Sequence, residues 1–203
     1  MEWVLATANP DKAEEMAAIL GGSVDLVRRP AGLPEVAETG ATLLANARLK
    51  AWAVAGATGR PAIADDTGLE VEALGGAPGV MSARWAGPGA TYADNVAKLL
   101  GQLEGKGGPA RRARFCTVVV AAAPGAGEVV AEGQVMGRIA ERPAGSGGFG
   151  YDAVFVPDEG GGRTFAELAA EDPGIKHSIS HRGRALRALR DQMATLGDGL
   201  AQP

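Results

Sequence analysis

Asp65-Asp66-Thr67-Gly68 sets two carboxylates side by side behind the short apolar run Ala62-Ile63-Ala64. In an open α/β sheet, ligands gather beyond the carboxyl ends of strands, and paired carboxylates are costly to bury without a cation. Such oxygen donors suit Mg²⁺, a hard ion commonly shared with substrate phosphates. An Asp-rich turn would use the same residues, but placement at a strand end favours the metal-linked role. Glu38, in Ala37-Glu38-Thr39-Gly40, offers a third carboxylate.

Two further segments suit an anion. Thr7-Ala8-Asn9-Pro10-Asp11-Lys12 joins an expected strand to an expected helix. Free N–H groups at that helix N-terminus, together with Lys12, suit a phosphate; a capped helix with a solvated lysine fits the segment equally well. Lys176-His177-Ser178-Ile179-Ser180-His181-Arg182-Gly183 gathers cations, imidazoles and hydroxyls where the last helix is expected to begin. Basic groups there oppose the helix dipole unless an anion relieves them.

Phe149-Gly150-Tyr151-Asp152 adds two aromatics and a carboxylate. A nucleobase could stack on such rings while the carboxylate takes a ring N–H, and core aromatics explain the same residues equally well. The preceding Gly145-Ser146-Gly147-Gly148-Phe149-Gly150 matches the dinucleotide pattern in letters only. Pro143 precedes it and a strand-like run follows, whereas the fingerprint needs a strand before and a helix after; a flexible loop near a ligand is the better account. His177 and His181 are spaced for zinc on a helix, but Ser180 as an N-cap would leave His177 outside it, and no H-E-x-x-H is present.

Positioning these groups requires strands alternating with helices. A buried strand is expected over Glu2 to Thr7, and a helix from Pro10 with Ala13, Met16, Ala17 and Leu20 inward. A second strand at Val24 to Arg28, a loop from Pro30 to Glu38 and a helix over Leu43 to Val54 follow. The short strand Ala62 to Ala64, a turn at Gly75 to Gly79 and a helix over Thr91 to Leu103 come next. Ala113 to Ala122 and Glu128 to Ile139 read as a hairpin across 124–127. Ala153 to Val156 is a strand, Thr164 to Glu167 has capping-box spacing, and the last helix spans Arg182 to Met193, with Gly197 to Pro203 fraying. This order predicts one α/β domain over 1–203 with a mixed sheet flanked by helices.

Composition narrows the class. The 203 residues carry a formal net charge of −4 with 22% charged residues, a balance that does not suit coating nucleic acid or an anionic membrane. The single cysteine, Cys116, excludes an internal disulfide framework. No apolar run is long enough to span a bilayer and no basic n-region opens the chain, so a cytoplasmic protein is expected.

Several of these segments in order, Thr7 to Lys12, Glu38-Thr39-Gly40, Ala64 to Gly68, Gly75 to Gly79, Ser82-Ala83-Arg84, Gly147 to Asp152 and Ser180 to Gly183, resemble the inosine/xanthosine triphosphate pyrophosphatase family from about residue 3 to 193. The resemblance implies a homodimer with an elongated mixed sheet and two lobes enclosing a nucleotide cleft. It implies Mg²⁺-dependent hydrolysis of ITP, dITP or XTP to the monophosphate and pyrophosphate. By the same resemblance Thr7, Ala8, Asn9, Pro10, Asp11 and Lys12 hold phosphate, and Glu38 and Asp66 serve the metal. Asp66 is also the proton acceptor for the attacking water, and Thr67 touches substrate. Phe149, Gly150, Tyr151 and Asp152 hold the base, while Lys176, His181 and Arg182 complete the nucleotide site. An acceptor at Asp152 and a donor at Arg182 would favour a 6-oxopurine over adenine. Two positions depart from the family pattern: Ala8 replaces the usual glycine and Thr67 the more frequent serine. Two alternatives are a related pyrophosphatase acting on modified pyrimidine triphosphates, and a nucleotide-binding regulator without turnover.

Overall fold

In a computed structural model, which describes residues 2–200 and side chains through residue 194, the elements follow the expected alternation. They are β1 (Glu2–Leu5), α1 (Pro10–Leu20), β2 (Asp25–Val27), α2 (Leu43–Thr58), β3 (Ala62–Val71), β4 (Pro78–Gly79), α3 (Tyr92–Gln102), β5 (Arg112–Ala123), β6 (Gly127–Ile139), β7 (Phe155–Pro157), α4 (Phe165–Glu171), α5 (Pro173–Ile179) and α6 (His181–Leu200). The strand order is β2-β1-β3-β5-β6-β7, with β4 paired to β3. β1 runs parallel to β2 and β3, while β3–β4 and β6–β7 are antiparallel, so the sheet is mixed as the sequence predicts.

The chain divides into two compact units, neither contiguous in sequence. The first comprises the chain up to Asp66, Thr117–Gly133 and the chain from Arg182; the second comprises Thr67–Cys116 and Gln134–His181. In the first unit the strand pleat sorts two apolar layers. Val4, Ala6, Ala62, Ala64, Val120 and Ala122 pack with Ala47, Ala51, Val54 and Ala55 of α2. Their alternate neighbours Leu5, Ile63, Val119 and Ala121 pack with Met16 and Leu20 of α1 and Ala185, Leu186 and Leu189 of α6. In the second unit Leu69, Val71, Val96, Leu99, Phe115, Ile139, Tyr151, Phe155, Phe165 and Leu168 form the core, with Phe115 edge-on to Phe155 at 4.7 Å.

Helix starts follow their caps. Asn9 Oδ1 accepts from the Asp11 and Lys12 N–H groups at 2.9 and 3.2 Å, ahead of Pro10. Thr42 caps α2, and Thr91 and Thr164 form capping boxes with Asp94 and Glu167.

Four elements differ from expectation, the simplest being β4, a two-residue strand at Pro78–Gly79 paired with β3 inside the expected turn. β3 does not stop at Ala64: it runs through the acidic pair to Val71, because both carboxylates meet cations within the fold. α5 is absent from the sequence reading, which treats Ser180 as a cap preceded by loop. Ser180 does stand immediately before α6, with His177 outside that helix as expected, but it also ends α5, its N–H donating to the Lys176 carbonyl, so Lys176 and His177 occupy a helix's last turn, where the dipole favours cations. α6 reaches Leu200, past the expected end at Met193 and through part of the segment expected to fray; the rest of that expectation, at 201–203, lies outside the described residues.

Candidate active site

The two adjacent aspartates part company because β3 is a strand. Successive side chains point to opposite faces, so Asp66 shares the α2 side with Ala62 and Ala64, and Asp65 shares the α1 and α6 side with Ile63. Both are nearly fully buried, at 1% and 5% exposure.

On the α2 side, Asn46 and Lys50 stand one helical turn apart and reach the same carboxylate. Asn46 Nδ2 donates to Asp66 Oδ2 at 3.2 Å, and Lys50 Nζ lies 3.1 Å from Asp66 Oδ1 and 2.6 Å from Glu38 Oε1. Asn46 Oδ1 also accepts from the Gly40 N–H at 2.8 Å, fastening the Glu38 loop to the same helix. Gly40 permits that approach: a Cβ there would sit 2.7 Å from Asn46 Oδ1 and 2.6 Å from the Ala45 Cβ. Burial raises the Asp66 pKa, opposed by Lys50 and Lys12. Burial also works against the Lys50 charge, but Asp66, Asp65 and Glu38 outweigh it and raise that pKa.

On the other side, Lys12 Nζ lies 3.2 Å from Asp65 Oδ2. Arg182 places Nε and Nη2 at 3.2 and 3.0 Å from that same oxygen and Nη1 at 2.5 Å from Glu15 Oε2. Burial alone would raise Asp65, yet Lys12, Arg182 and Lys50 hold it well below the usual carboxylate range. Lys12 is lowered, chiefly by burial, although Asp65 counters it.

The expected phosphate segment is therefore organised differently from a set of free helix N–H donors. The Asp11 and Lys12 amides are taken up by Asn9, whose own N–H donates to Thr7 Oγ1 at 3.1 Å, so the charge this segment offers a ligand is that of Lys12. Ala8 is exposed, and among the described residues no non-glycine has a positive φ; alanine there imposes no backbone strain.

The second unit holds Thr67, Phe149, Gly150, Tyr151, Asp152, Lys176 and His181. Asp152 Oδ2 accepts from the Phe149 N–H at 2.9 Å and from Lys176 Nζ at 2.5 Å, a pair almost wholly buried. Gly148, at φ 68°, leaves room for that carboxylate, since a Cβ would sit 2.2 Å from Asp152 Oδ2. Tyr151 belongs to the core: its hydroxyl donates to the Ser82 carbonyl at 2.9 Å and burial raises its pKa. Phe149 is half-buried, with Lys176 Nζ 5.0 Å from its ring centre. His181 is buried and stacked on Phe115 at 4.4 Å. Gly145 and Gly147 serve packing rather than looseness, because a Cβ at either would run into the α4 backbone at 2.3 and 2.6 Å.

Sequence reasoning misses Glu15, Asn46 and Lys50. The available signal is an amide and a lysine at i, i+4 on an otherwise alanine-rich helix. Glu38 and Asp66 offer only oxygen donors on either side of one ammonium, which fits a hard divalent cation. Among the described residues no three His, Cys, Asp or Glu side chains group as a metal cage; Mg²⁺ held by two carboxylates would take its other ligands from water and phosphate, as that ion commonly does.

The Ham1 family model matches residues 3–192. A dITP/XTP pyrophosphatase of Streptomyces coelicolor is 49% identical over 191 residues, covering 92% of this chain and 94% of its own. One from Geobacillus kaustophilus is 47% identical over 201 residues, covering 98% and 97%. The solved structure of a HAM1 protein from Coxiella burnetii superposes with a TM-score of 0.84 at 39% identity, covering 96% of this chain and 99% of that one. With a match of this extent, on a fold whose strand pairing and acidic pair have just been described, the chain belongs to the Ham1 family.

Proposed function

We propose that this chain is a Mg²⁺-dependent nucleoside triphosphate pyrophosphatase that hydrolyses non-standard purine nucleotides (ITP, dITP, XTP) to the monophosphate and pyrophosphate. The observation that carries the reading is the buried Asp66, fixed by Asn46 and Lys50 and sharing that lysine with Glu38. A regulator that only bound phosphate would gain nothing from two carboxylates there. The names of the relatives point to the same chemistry.

In this mechanism Asp66 accepts a proton from the water that attacks the α-phosphorus, and the bond from the α-phosphorus to the bridging oxygen breaks as pyrophosphate leaves. Asn46 and Lys50 orient the carboxylate, and Lys12 offsets phosphate charge. Bound Mg²⁺, held by Glu38 and Asp66, would polarise phosphate oxygens and stabilise the leaving group. Phe149 and Asp152 take the base, with Thr67, Lys176, His181 and Arg182 completing the nucleotide site. Single-domain organisation over 1–203, a homodimer and cytoplasmic placement belong to the same reading. None of the described helices is long and apolar enough to cross a membrane.

The test is pyrophosphate release from ITP, dITP, XTP and dATP with Mg²⁺. The expected result is turnover of the first three well above dATP. Release from none of the four would overturn the assignment, and preference for a modified pyrimidine triphosphate would move the substrate class.

A further inference from the structure

Tyr92 opens α3, yet the helix does not need it. Thr91 and Asp94 supply the capping box, and the inward stripe of α3 is carried by Val96 and Leu99, both buried. Tyr92 continues that stripe one turn towards the N-terminus, at i−4 from Val96, but its side chain emerges from the core and remains 41% exposed. There it meets Phe149, with ring centres 5.8 Å apart and planes inclined at 37°. Phe149 in turn is held by its N–H on Asp152 and lies beside the Lys176 ammonium. Two aromatic rings with accessible surface thus adjoin a carboxylate–ammonium pair, the combination of stacking surface and polar edge that a nucleobase uses.

We propose that Tyr92 is a further base-stacking residue, extending the platform begun by Phe149 and favouring a bicyclic purine over a pyrimidine. The inference rests on the functional reading above, in which Phe149 and Asp152 take the base. Its physical basis is reach: one ring suffices for a six-membered base, whereas fused rings can cover part of both aromatics. A purine therefore loses more contact than a pyrimidine when Tyr92 is cut back.

Tyr92→Ala and Tyr92→Phe test this. Stacking of a base on an aromatic sets the scale, so Tyr92→Ala should raise KM for ITP about fivefold or more and leave kcat within about twofold. The dissociation constant of inosine monophosphate, measured calorimetrically, should rise by a similar factor, while inhibition by uridine monophosphate changes little. Tyr92→Phe keeps the ring and should behave as wild type. Equal loss with both monophosphates, no change in either, or a fall in kcat that Tyr92→Phe does not rescue would overturn the proposal. If the unaltered chain releases no pyrophosphate from any purine triphosphate, the functional reading and this inference fall together. If it does, and Tyr92→Ala leaves KM unchanged, only this inference falls.

Discussion

Asp65 and Asp66 share a peptide bond and the field of Lys12 and Lys50, but not their hydrogen-bond partners. Asp65 belongs to a buried network with Lys12, Arg182 and Glu15, whereas Asp66 meets Asn46 and Lys50 on the opposite face of β3. Their asparagine variants should therefore fail in different ways. Asp66→Asn keeps the shape and one of the two accepted hydrogen bonds, leaves Lys50 its pair with Glu38 and removes the proposed proton acceptor, so turnover should drop about a hundredfold or more with only a small fall in the thermal midpoint. Asp65→Asn takes the shared carboxylate from Lys12 and from Arg182, which keeps Glu15, and removing one partner of a buried ion pair costs up to about 3–5 kcal/mol, read as a fall in the urea midpoint. Equal stability losses in the two variants would contradict the division of roles. The chemistry-bearing types at these positions are legible in the sequence, since paired carboxylates announce a cation. Which cation each one meets is not: Arg182 lies 117 residues from Asp65 and Lys50 lies 16 from Asp66. Nothing local in the sequence encodes those distances.

Elements with local signals are the ones the sequence predicts well. Asn9-Pro10, Thr91 with Asp94 and Thr164 with Glu167 each mark a helix start that the structure reproduces. β3 is under-read because two adjacent charges look like a turn until their partners are known. α5 goes unseen because its seven residues include Pro173 and Gly174 and carry too short a pattern. The glycine loop illustrates the same limit: its composition suggests looseness, whereas Gly147 has no room for a side chain. A Cβ at Gly147 would lie 2.6 Å from the Ala170 nitrogen of α4, so Gly147→Ala must displace loop or helix backbone, at about 1–3 kcal/mol for overpacking of this kind. Gly107 has no positive φ and nothing within 4 Å, so Gly107→Ala should change stability by no more than about 0.5 kcal/mol. Urea unfolding of the two variants side by side checks the contrast, and equal effects would show that α4 does not constrain the loop.

At the scale of the whole molecule, the division into two units was hidden because no linker marks it. The chain passes from one unit to the other within β3, β5 and β6 and at the start of α6, and a strand carries no boundary composition. The charge balance of the first unit also bears on how far the fold would depend on the proposed Mg²⁺. Lys50 already stands between Glu38 and Asp66, so their mutual repulsion is relieved with no ion bound. Metal binding should then serve turnover far more than folding, unlike a structural zinc site. Chelation by EDTA should abolish pyrophosphate release, with recovery on excess Mg²⁺. The thermal midpoint should fall by no more than about 4 °C, the shift expected from roughly 1 kcal/mol of ligand linkage in a chain of this length. Lys50→Met sharpens the argument by removing the built-in cation, leaving Mg²⁺ as the main relief for the two carboxylates. The midpoint shift on chelation should therefore be larger in Lys50→Met than in the unaltered chain. If the shift is equal in both, Lys50 does not share its site with the metal, and the donors must be sought away from Glu38 and Asp66.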